Sequence, residues 1–209
     1  ENRGRVTADK SGNAGGIIAV NNATISQCTN TGAIVSNNGT LGGIAAINSG
    51  SIKGSDVKLP SNETALVFTG RSNIGGIAGE NTGKITNEVV WKDGKQKMIP
   101  CRVSGVTIRN QSSGAGNIGG VAGLNNTENG KSGTIQNTIV DDITVSAIAE
   151  GTNAGGVAGV NAGSIGNSAG SSMNINAAVN FGGSAASTIT GNLGGVAGVN
   201  EEKKTIENI

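Results

Sequence analysis

Few residues in this sequence could carry out chemistry, and they do not form a recognisable catalytic set. The chain contains no histidine, which excludes the Ser-His-Asp and Cys-His systems that activate a nucleophile and the H-E-x-x-H site that holds catalytic zinc. The one pair of adjacent aspartates is Asp141 and Asp142. Because neighbouring side chains of a strand point to opposite faces, a solvated turn or strand edge explains this pair more simply than a catalytic or metal-binding role.

The pairs of adjacent glycines are a second feature that could bind a ligand, because glycine-rich loops cradle phosphates in many proteins. A phosphate loop also needs a lysine followed by serine or threonine, and no glycine pair is followed by these residues at the required spacing. Calcium-binding nonapeptide repeats place an aspartate after the glycines, where this chain has asparagine. The sequence therefore predicts a protein that is not an enzyme and that holds no cofactor or metal.

A basic segment at 88–102, "EVVWKDGKQKMIPCR", is the best candidate for a binding site. Asp93-Gly94 between two strand-like arms is a typical two-residue hairpin turn. Pairing outward from this turn places Lys92 opposite Lys95, Trp91 opposite Gln96, and Val90 opposite Lys97. One face of the hairpin then carries Lys92, Lys95 and Lys97. The other face carries Val89, Trp91 and Met98.

Two interpretations of this hairpin remain open. In the functional one, the lysines form a basic finger that contacts an acidic glycan or protein, and Trp91 offers a platform for a sugar ring. In the structural one, the lysines only discourage pairing at the strand edges, and Trp91 anchors the apolar face to the rest of the chain. The structural interpretation needs fewer assumptions.

The composition limits what the elements around this hairpin can be. Among 209 residues, a length typical of a single domain, there are 37 glycines, 15 basic and 14 acidic side chains. The near-neutral balance lacks the positive field of a nucleic-acid-binding protein. No stretch of about 20 apolar residues is present that could insert into a membrane. Regularly spaced isoleucines and valines argue against a disordered, low-complexity chain.

One phrase of about ten residues, such as "GNIGGVAGLN", occurs six times. The glycine pairs of the six copies are Gly15 and Gly16, Gly42 and Gly43, Gly75 and Gly76, Gly119 and Gly120, Gly155 and Gly156, Gly194 and Gly195. The residue five positions after each pair is an asparagine: Asn21, Asn48, Asn81, Asn125, Asn161 and Asn200. An isoleucine or valine follows every pair directly, and a short isoleucine-centred segment follows each asparagine. A third, β-rich stretch comes after this segment in the first five copies.

Fixed offsets within the phrase, combined with unequal distances between copies, indicate fixed strands joined by turns of variable length. We therefore predict an all-β fold, a parallel β-helix of about six coils with three short strands per coil. Successive coils would lie about 4.8 Å apart, with isoleucine on isoleucine inside and a ladder of hydrogen-bonded asparagines at one corner. The glycine pair is expected to form a bend, so that the apolar residues on both sides of it face inward.

The phrases "GNIGGVAGLN", "SNIGGIAGENTGKITN" and "TNAGGVAGVNAGSIGN" resemble the GLUG motif, a repeat with the pattern Gly-Gly-[small apolar]-x-Gly-x-Asn-x-Gly-x-Ile-x-Asn. The resemblance covers almost the whole chain. GLUG repeats occur in large bacterial surface and secreted proteins, in adhesin-like proteins and in the non-catalytic parts of IgA-specific metallopeptidases. The resemblance thus implies an extracellular or cell-surface location and a stalk or binding surface without chemistry of its own.

From these observations we expect an adhesin-type stalk that binds a host or microbial surface protein or glycan. The alternative is an ancillary β-helix domain of a secreted peptidase or of a carbohydrate-active enzyme. Because neither end of the sequence offers a capping element, we expect a single solenoid segment, 1–209, that stacks on neighbouring coils of a longer protein.

Two further expectations concern the pair of cysteines and a second insert. Cys28 and Cys101 should lie two coils apart at a distance of about 10 Å, beyond the bridging limit of about 7 Å, unless the hairpin segment folds back. A second insert with Pro60 and Phe68 is expected beside the hairpin, one coil earlier.

Overall fold

The main chain of each repeat lies directly on that of the next repeat and pairs with it in parallel. The computed structural model describes residues 1–9, 12–111, 114–167, 172–182 and 190–209. In this part of the chain the regular elements are all strands, and there is no helix. The predicted all-β parallel solenoid of six coils is confirmed.

The strands follow one another in the same order in every coil. Before the first coil lies β1 (Val6–Ala8). The first coil contains β2 (Ala14–Gly15), β3 (Ile18–Asn21), β4 (Thr24–Ser26), β5 (Thr29–Asn30) and β6 (Ile34–Ser36). The second coil contains β7 (Leu41–Gly42), β8 (Ala45–Asn48), β9 (Ser51–Lys53), β10 (Asp56–Lys58) and β11 (Leu66–Gly70). The third coil contains β12 (Ile74–Gly75), β13 (Ala78–Asn81), β14 (Lys84–Thr86), β15 (Glu88–Lys92), β16 (Lys95–Ile99), β17 (Cys101–Ser104) and β18 (Val106–Asn110).

The later coils have longer strands in the third stretch. The fourth coil contains β19 (Asn117–Gly119), β20 (Ala122–Asn125), β21 (Thr127–Glu128), β22 (Lys131–Ser132), β23 (Thr134–Ile135) and β24 (Thr138–Ala147). The fifth coil contains β25 (Thr152–Gly155), β26 (Ala158–Asn161), β27 (Ser164–Gly166) and β28 (Asn174–Phe181). The sixth coil contains β29 (Gly191–Gly194), β30 (Ala197–Asn200) and β31 (Thr205–Glu207).

Equivalent strands form four parallel sheets along the solenoid. The glycine sheet is β2-β7-β12-β19-β25-β29, the asparagine sheet is β3-β8-β13-β20-β26-β30, and the isoleucine sheet is β4-β9-β14-β23-β27-β31. The fourth, nine-stranded sheet has the order β1-β6-β11-β18-β24-β17-β10-β5, with β28 also paired to β24. Each repeated phrase thus contributes two strands, so a coil has four sides where the sequence predicted three strands.

The glycine pair produces this extra corner, and it does so through close packing of the backbone. A Cβ on the first glycine, for example Gly75, would overlap with the carbonyl oxygen of Ala78, three residues later. A Cβ on the second glycine, Gly76, would overlap with the carbonyl oxygen of Gly120 in the next coil. Neither of these two glycines has a left-handed φ. The expected bend is confirmed, and it requires glycine because no other residue leaves room for these two backbone approaches.

The interior consists of stacked aliphatic side chains, as predicted. In the isoleucine sheet Ile85 lies in register with Ile52 on one side and Ile135 on the other, and all three are fully buried. The apolar residues on either side of the glycine pair of the third coil, Ile74 and Ile77, are also fully buried. Small aliphatic residues in register therefore form the core of a chain that has almost no aromatic residues.

The predicted ladder of asparagines is present at the end of the asparagine sheet. The Nδ2 group of Asn48 donates to Oδ1 of Asn81 at 2.7 Å, and Nδ2 of Asn81 donates to Oδ1 of Asn125 at 2.8 Å. The bonds from Asn21 to Asn48, from Asn125 to Asn161 and from Asn161 to Asn200 complete the series. The ladder satisfies amides that are fully buried in the middle coils, which would otherwise be costly to exclude from water.

We predict that Gly76→Ala lowers the free energy of unfolding by about 3 kcal/mol or more, because the added methyl group overlaps with a backbone oxygen. The matched change is Gly195→Ala in the last coil, where a Cβ meets no atom within 4 Å; it should alter the free energy by less than about 1 kcal/mol. Urea unfolding followed by circular dichroism measures both. Equal destabilisation by the two variants would contradict the packing explanation.

Removing one ladder amide should also destabilise the protein. In Asn81→Ala, the amides of Asn48 and Asn125 each lose a buried partner, so we expect a loss of about 2–4 kcal/mol. Asn200→Ala serves as the control, because Asn200 is exposed at the end of the ladder, and it should cost about 1 kcal/mol or less. If Asn81→Ala is as mild as Asn200→Ala in urea unfolding, the ladder contributes little to stability.

Candidate functional site

The basic hairpin leaves the third coil between the isoleucine sheet and the nine-stranded sheet. Its strands β15 and β16 are antiparallel, and Lys92 pairs with Lys95 across the turn. Asp93 has a φ of 51° and Gly94 a φ of 71°, the two positive values of a type I′ turn, whose twist matches that of the strands. The predicted register is confirmed: Trp91 pairs with Gln96, and Val90 pairs with Lys97.

The hairpin is shorter than predicted at its C-terminal end. The ribbon ends at Ile99, whereas the sequence predicted an insert over 88–102. Cys101–Ser104 forms β17, which pairs in parallel with β10 and β24 in the nine-stranded sheet. Pro100 separates the two strands, and its missing N–H ends the antiparallel pairing. The burial of Cys101 and Val103 shows that the chain has returned to the core at this point.

The apolar face of the hairpin is exposed, so the prediction that it docks on the coils is wrong. The exposed fractions are 71% for Trp91, 67% for Met98 and 46% for Val89. In the described part of the chain, the contacts of the ribbon with the solenoid are at its base. There the hydroxyl of Ser26 donates to the carboxylate of Glu88 at 2.7 Å.

A glycine in the second coil makes this close approach of the base possible. A Cβ on Gly54 would lie 2.8 Å from Cβ of Glu88 and 3.2 Å from the carbonyl oxygen of Ile99. Gly54 also has a φ of 52°, a conformation that favours glycine. The hairpin is therefore fixed at its base and projects from the coils beyond it.

The lysines of the hairpin form a surface of positive charge. Lys92, Lys95 and Lys97 are all exposed, and none of them takes part in an ion pair with another described residue. The two acidic residues of the ribbon lie at its ends, Glu88 at the base and Asp93 in the turn. The basic face is thus available to a negatively charged partner.

The two adjacent aspartates lie at an irregularity of β24. The register of β24 with β28 shifts between Val140 and Ile143, and Asp142 has a φ of 51°. A carboxylate oxygen of Asp141 lies 3.9 Å from the guanidinium of Arg102, and Asn176 donates to Asp141 at 3.4 Å. This geometry is that of a β-bulge on a polar surface. Among the described residues, no group of three or more acidic, cysteine or histidine side chains could hold a metal ion.

The second insert does not lie beside the hairpin. It is a loop at 59–65 that follows β10, at the opposite end of this strand from the corner where the hairpin leaves its coil. Pro60 is in this loop, but Phe68 is in β11 and fully buried. The loop and the residues before β1 line an open polar cleft of about 650 Å³ that contains Lys58 and Glu63. The insert does occur one coil before the hairpin, as predicted.

The two cysteines occupy one file of the solenoid, two coils apart, and both thiols are free. Ser55 lies between them: its hydroxyl accepts from the backbone N–H of Cys28 at 3.2 Å, and its own N–H donates to Sγ of Cys101 at 3.4 Å. The Cys101 thiol donates to the carbonyl oxygen of Thr86 at 3.1 Å. Burial raises the pKa of Cys101 from the ordinary value of 9.0 to about 12.

Two features of the structure were not predicted from the sequence. A second hairpin, β21–β22, lies in the fourth coil; its turn is formed by Asn129 and Gly130, and both residues have positive φ. Its signal was the dipeptide Asn-Gly, which is strongly associated with type I′ turns.

The second missed feature is another file of hydrogen-bonded asparagines, at the N-terminal end of the glycine sheet: Asn73, Asn117, Asn153 and Asn192. The signal for this file was also in the repeat. An asparagine stands two residues before the glycine pair in five of the six copies, and the second copy has Thr40 there.

The chain was compared with models of known protein families, with curated proteins and with solved structures. No match was found. None of the described residues forms a helix with the length and hydropathy that crossing a membrane requires.

We predict that the two thiols differ sharply in reactivity. In native protein at pH 8, Ellman's reagent should modify Cys28, which is partly exposed, and leave Cys101 unmodified, because only the thiolate reacts and burial keeps Cys101 protonated. Both should react in urea. Cys28→Ser should abolish the native reaction, and modification of Cys101 in this folded variant would contradict the burial described above.

The raised pKa of Cys101 also predicts a pH dependence of stability. The folded state holds this proton more tightly than the unfolded state, so its contribution is complete below pH 9 and is lost as the pH rises towards 12. The free energy of unfolding of the wild type should therefore fall more steeply above pH 9 than that of Cys101→Ala. If urea unfolding shows that the free energy of unfolding falls equally with pH in both proteins, the raised pKa of Cys101 is contradicted.

Proposed function

We propose that this chain is a non-catalytic repeat domain of a bacterial cell-surface or secreted protein, an adhesin-type stalk that presents a binding surface to a host or microbial ligand. The observation that carries the proposal is the hairpin β15–β16, which is fixed at its base and exposed on both faces. An exposed tryptophan with two further apolar side chains, opposite a face of three unpaired lysines, is costly for a surface that binds nothing.

The solenoid supports the role of a stalk. Three parallel sheets run through all six coils and the nine-stranded sheet connects the first five, and two files of side-chain amides connect coils along the axis. Bending between coils would break these bonds, so the stack is expected to hold the hairpin at a fixed place and orientation. Repeat proteins commonly use such extended scaffolds to present binding surfaces.

The bacterial surface setting is supported by the resemblance of the repeated phrases, such as "SNIGGIAGENTGKITN", to the GLUG motif. In proteins with that motif the repeats form stalks or binding surfaces. The role of an ancillary domain beside a secreted enzyme stays a prediction, because no contact or exposed surface among the described residues favours it over the stalk.

Binding of the purified chain to glycan arrays and to arrays of host surface proteins, including immunoglobulins, tests the proposal. We expect at least one ligand whose binding falls about tenfold or more when Lys92→Ala, Lys95→Ala and Lys97→Ala are combined, since a charged partner loses three nearby cations. Trp91→Ala should weaken the binding of the same ligand.

The matched control combines Lys84→Ala, Lys131→Ala and Lys203→Ala. It removes the same charge from exposed lysines outside the hairpin, and it should leave binding within about twofold of the wild type if the local charge matters and not the net charge. Equal binding by wild type and hairpin variant, or equal losses in both triple variants, would show that the hairpin is not the binding surface.

A further inference from the structure

We propose that the free edge of β16 binds an extended, acidic segment of a partner protein as a third strand of the hairpin, with acidic and apolar side chains alternating along that segment. This inference rests on the proposed function and specifies the partner of the same hairpin. The argument uses the backbone at this edge, the two faces of the ribbon and the distribution of charge.

The backbone of β16 offers unpaired hydrogen-bonding groups. The turn joins Lys92 to Lys95 by its hydrogen bond, so in this antiparallel ribbon the next pair, Trp91 and Gln96, has N–H and C=O groups that point away from the partner strand. The same alternation applies to Val89 and Met98. In the described structure β15 and β16 pair only with each other, which leaves the outward groups of Gln96 and Met98 free for an added strand.

A ligand that contacts both faces of the ribbon must present two kinds of side chain in alternation. Lys95 and Lys97 lie on one face, whereas Met98 and Trp91 lie on the other. A saccharide chain on one face would meet either the lysines or the tryptophan. An added strand meets both faces, because its side chains alternate between them. Alternating acidic and apolar residues would place the acidic groups beside the lysines and the apolar groups beside Met98.

The distribution of charge selects between the two edges of the ribbon. On the basic face, β16 carries Lys95 and Lys97 and no acidic residue, whereas β15 carries Glu88 at its base. An acidic strand is therefore favoured beside β16.

A second copy of the chain is a poor occupant of this edge. Two β16 strands paired edge to edge would bring the lysines of both copies together on one face, and like charges on neighbouring strands destabilise a sheet. The lysines thus exclude basic and identical strands but admit an acidic one.

Fluorescence anisotropy with a labelled heptapeptide that alternates glutamate and valine tests this inference on the whole chain. We expect binding with a Kd on the order of 10 μM. An isomeric peptide with the glutamates and valines in two separate blocks has the same charge and should bind about tenfold more weakly, because it cannot match both faces. Methylation of alternate backbone nitrogens of the alternating peptide should also weaken it by about tenfold, since it removes strand hydrogen bonds.

Two proline variants distinguish the edges. Gln96→Pro removes an outward N–H of β16 without removing a hydrogen bond between the two strands, and prolines are tolerated at such positions. This variant should bind the alternating peptide about tenfold more weakly. Val89→Pro removes the equivalent outward N–H of β15 and should weaken binding of the alternating peptide clearly less than Gln96→Pro, because it leaves the hydrogen-bonding groups of the β16 edge intact. Circular dichroism and resistance to proteolysis check that both hairpins fold.

Equal binding of the alternating and block peptides would overturn the inference, as would insensitivity to both Gln96→Pro and backbone methylation. A sulfated heparin hexasaccharide that binds more tightly than the peptide, unaffected by Gln96→Pro, would show that the lysines bind a polyanion by charge alone. If the peptide fails but an array ligand still depends on the hairpin lysines, the strand-binding inference falls and the proposed function stands. If neither depends on the hairpin, both fall.

Discussion

Backbone hydrogen bonds between coils are the interaction on which this molecule depends. The described strands are two to ten residues long and, apart from those of the two hairpins, they pair only with the coils before and after. A buried N–H or C=O without a partner is expensive, so each coil must match the path of its neighbours. That requirement fixes glycine where backbones approach most closely and asparagine where a side chain must bond along the axis.

The sequence was sufficient to predict the features that this matching enforces. The coil count, the isoleucine core and the asparagine ladder follow from residues such as Ile85 and Asn81, whose types must recur at every level. The four-sided cross-section could not be predicted in the same way. It depends on how closely Gly75 approaches Ala78, and the residue types of the repeat do not determine this distance.

The hairpin shows both the power and the limit of local rules. Asp93-Gly94 determined the turn and the register, because a two-residue type I′ turn leaves no other pairing. Whether the tryptophan face would dock was a tertiary question, decided by contacts at the base with Ser26 and Gly54, far away in the sequence. The lysines that were first interpreted either as a binding surface or as protection of an edge can serve both purposes, because the same charge repels one kind of strand and attracts another.

The two asparagine files have opposite polarity along the solenoid axis. In the file through Asn81 the amide nitrogen of the earlier coil donates to the later coil, whereas in the file through Asn117 the later coil donates to the earlier one. The amide dipoles of the two files therefore oppose each other. Lengthening the rod by further coils would strengthen both columns of hydrogen bonds while their electrostatic moments largely cancel, so that a long filament could be built from this repeat without accumulating opposite poles at its ends.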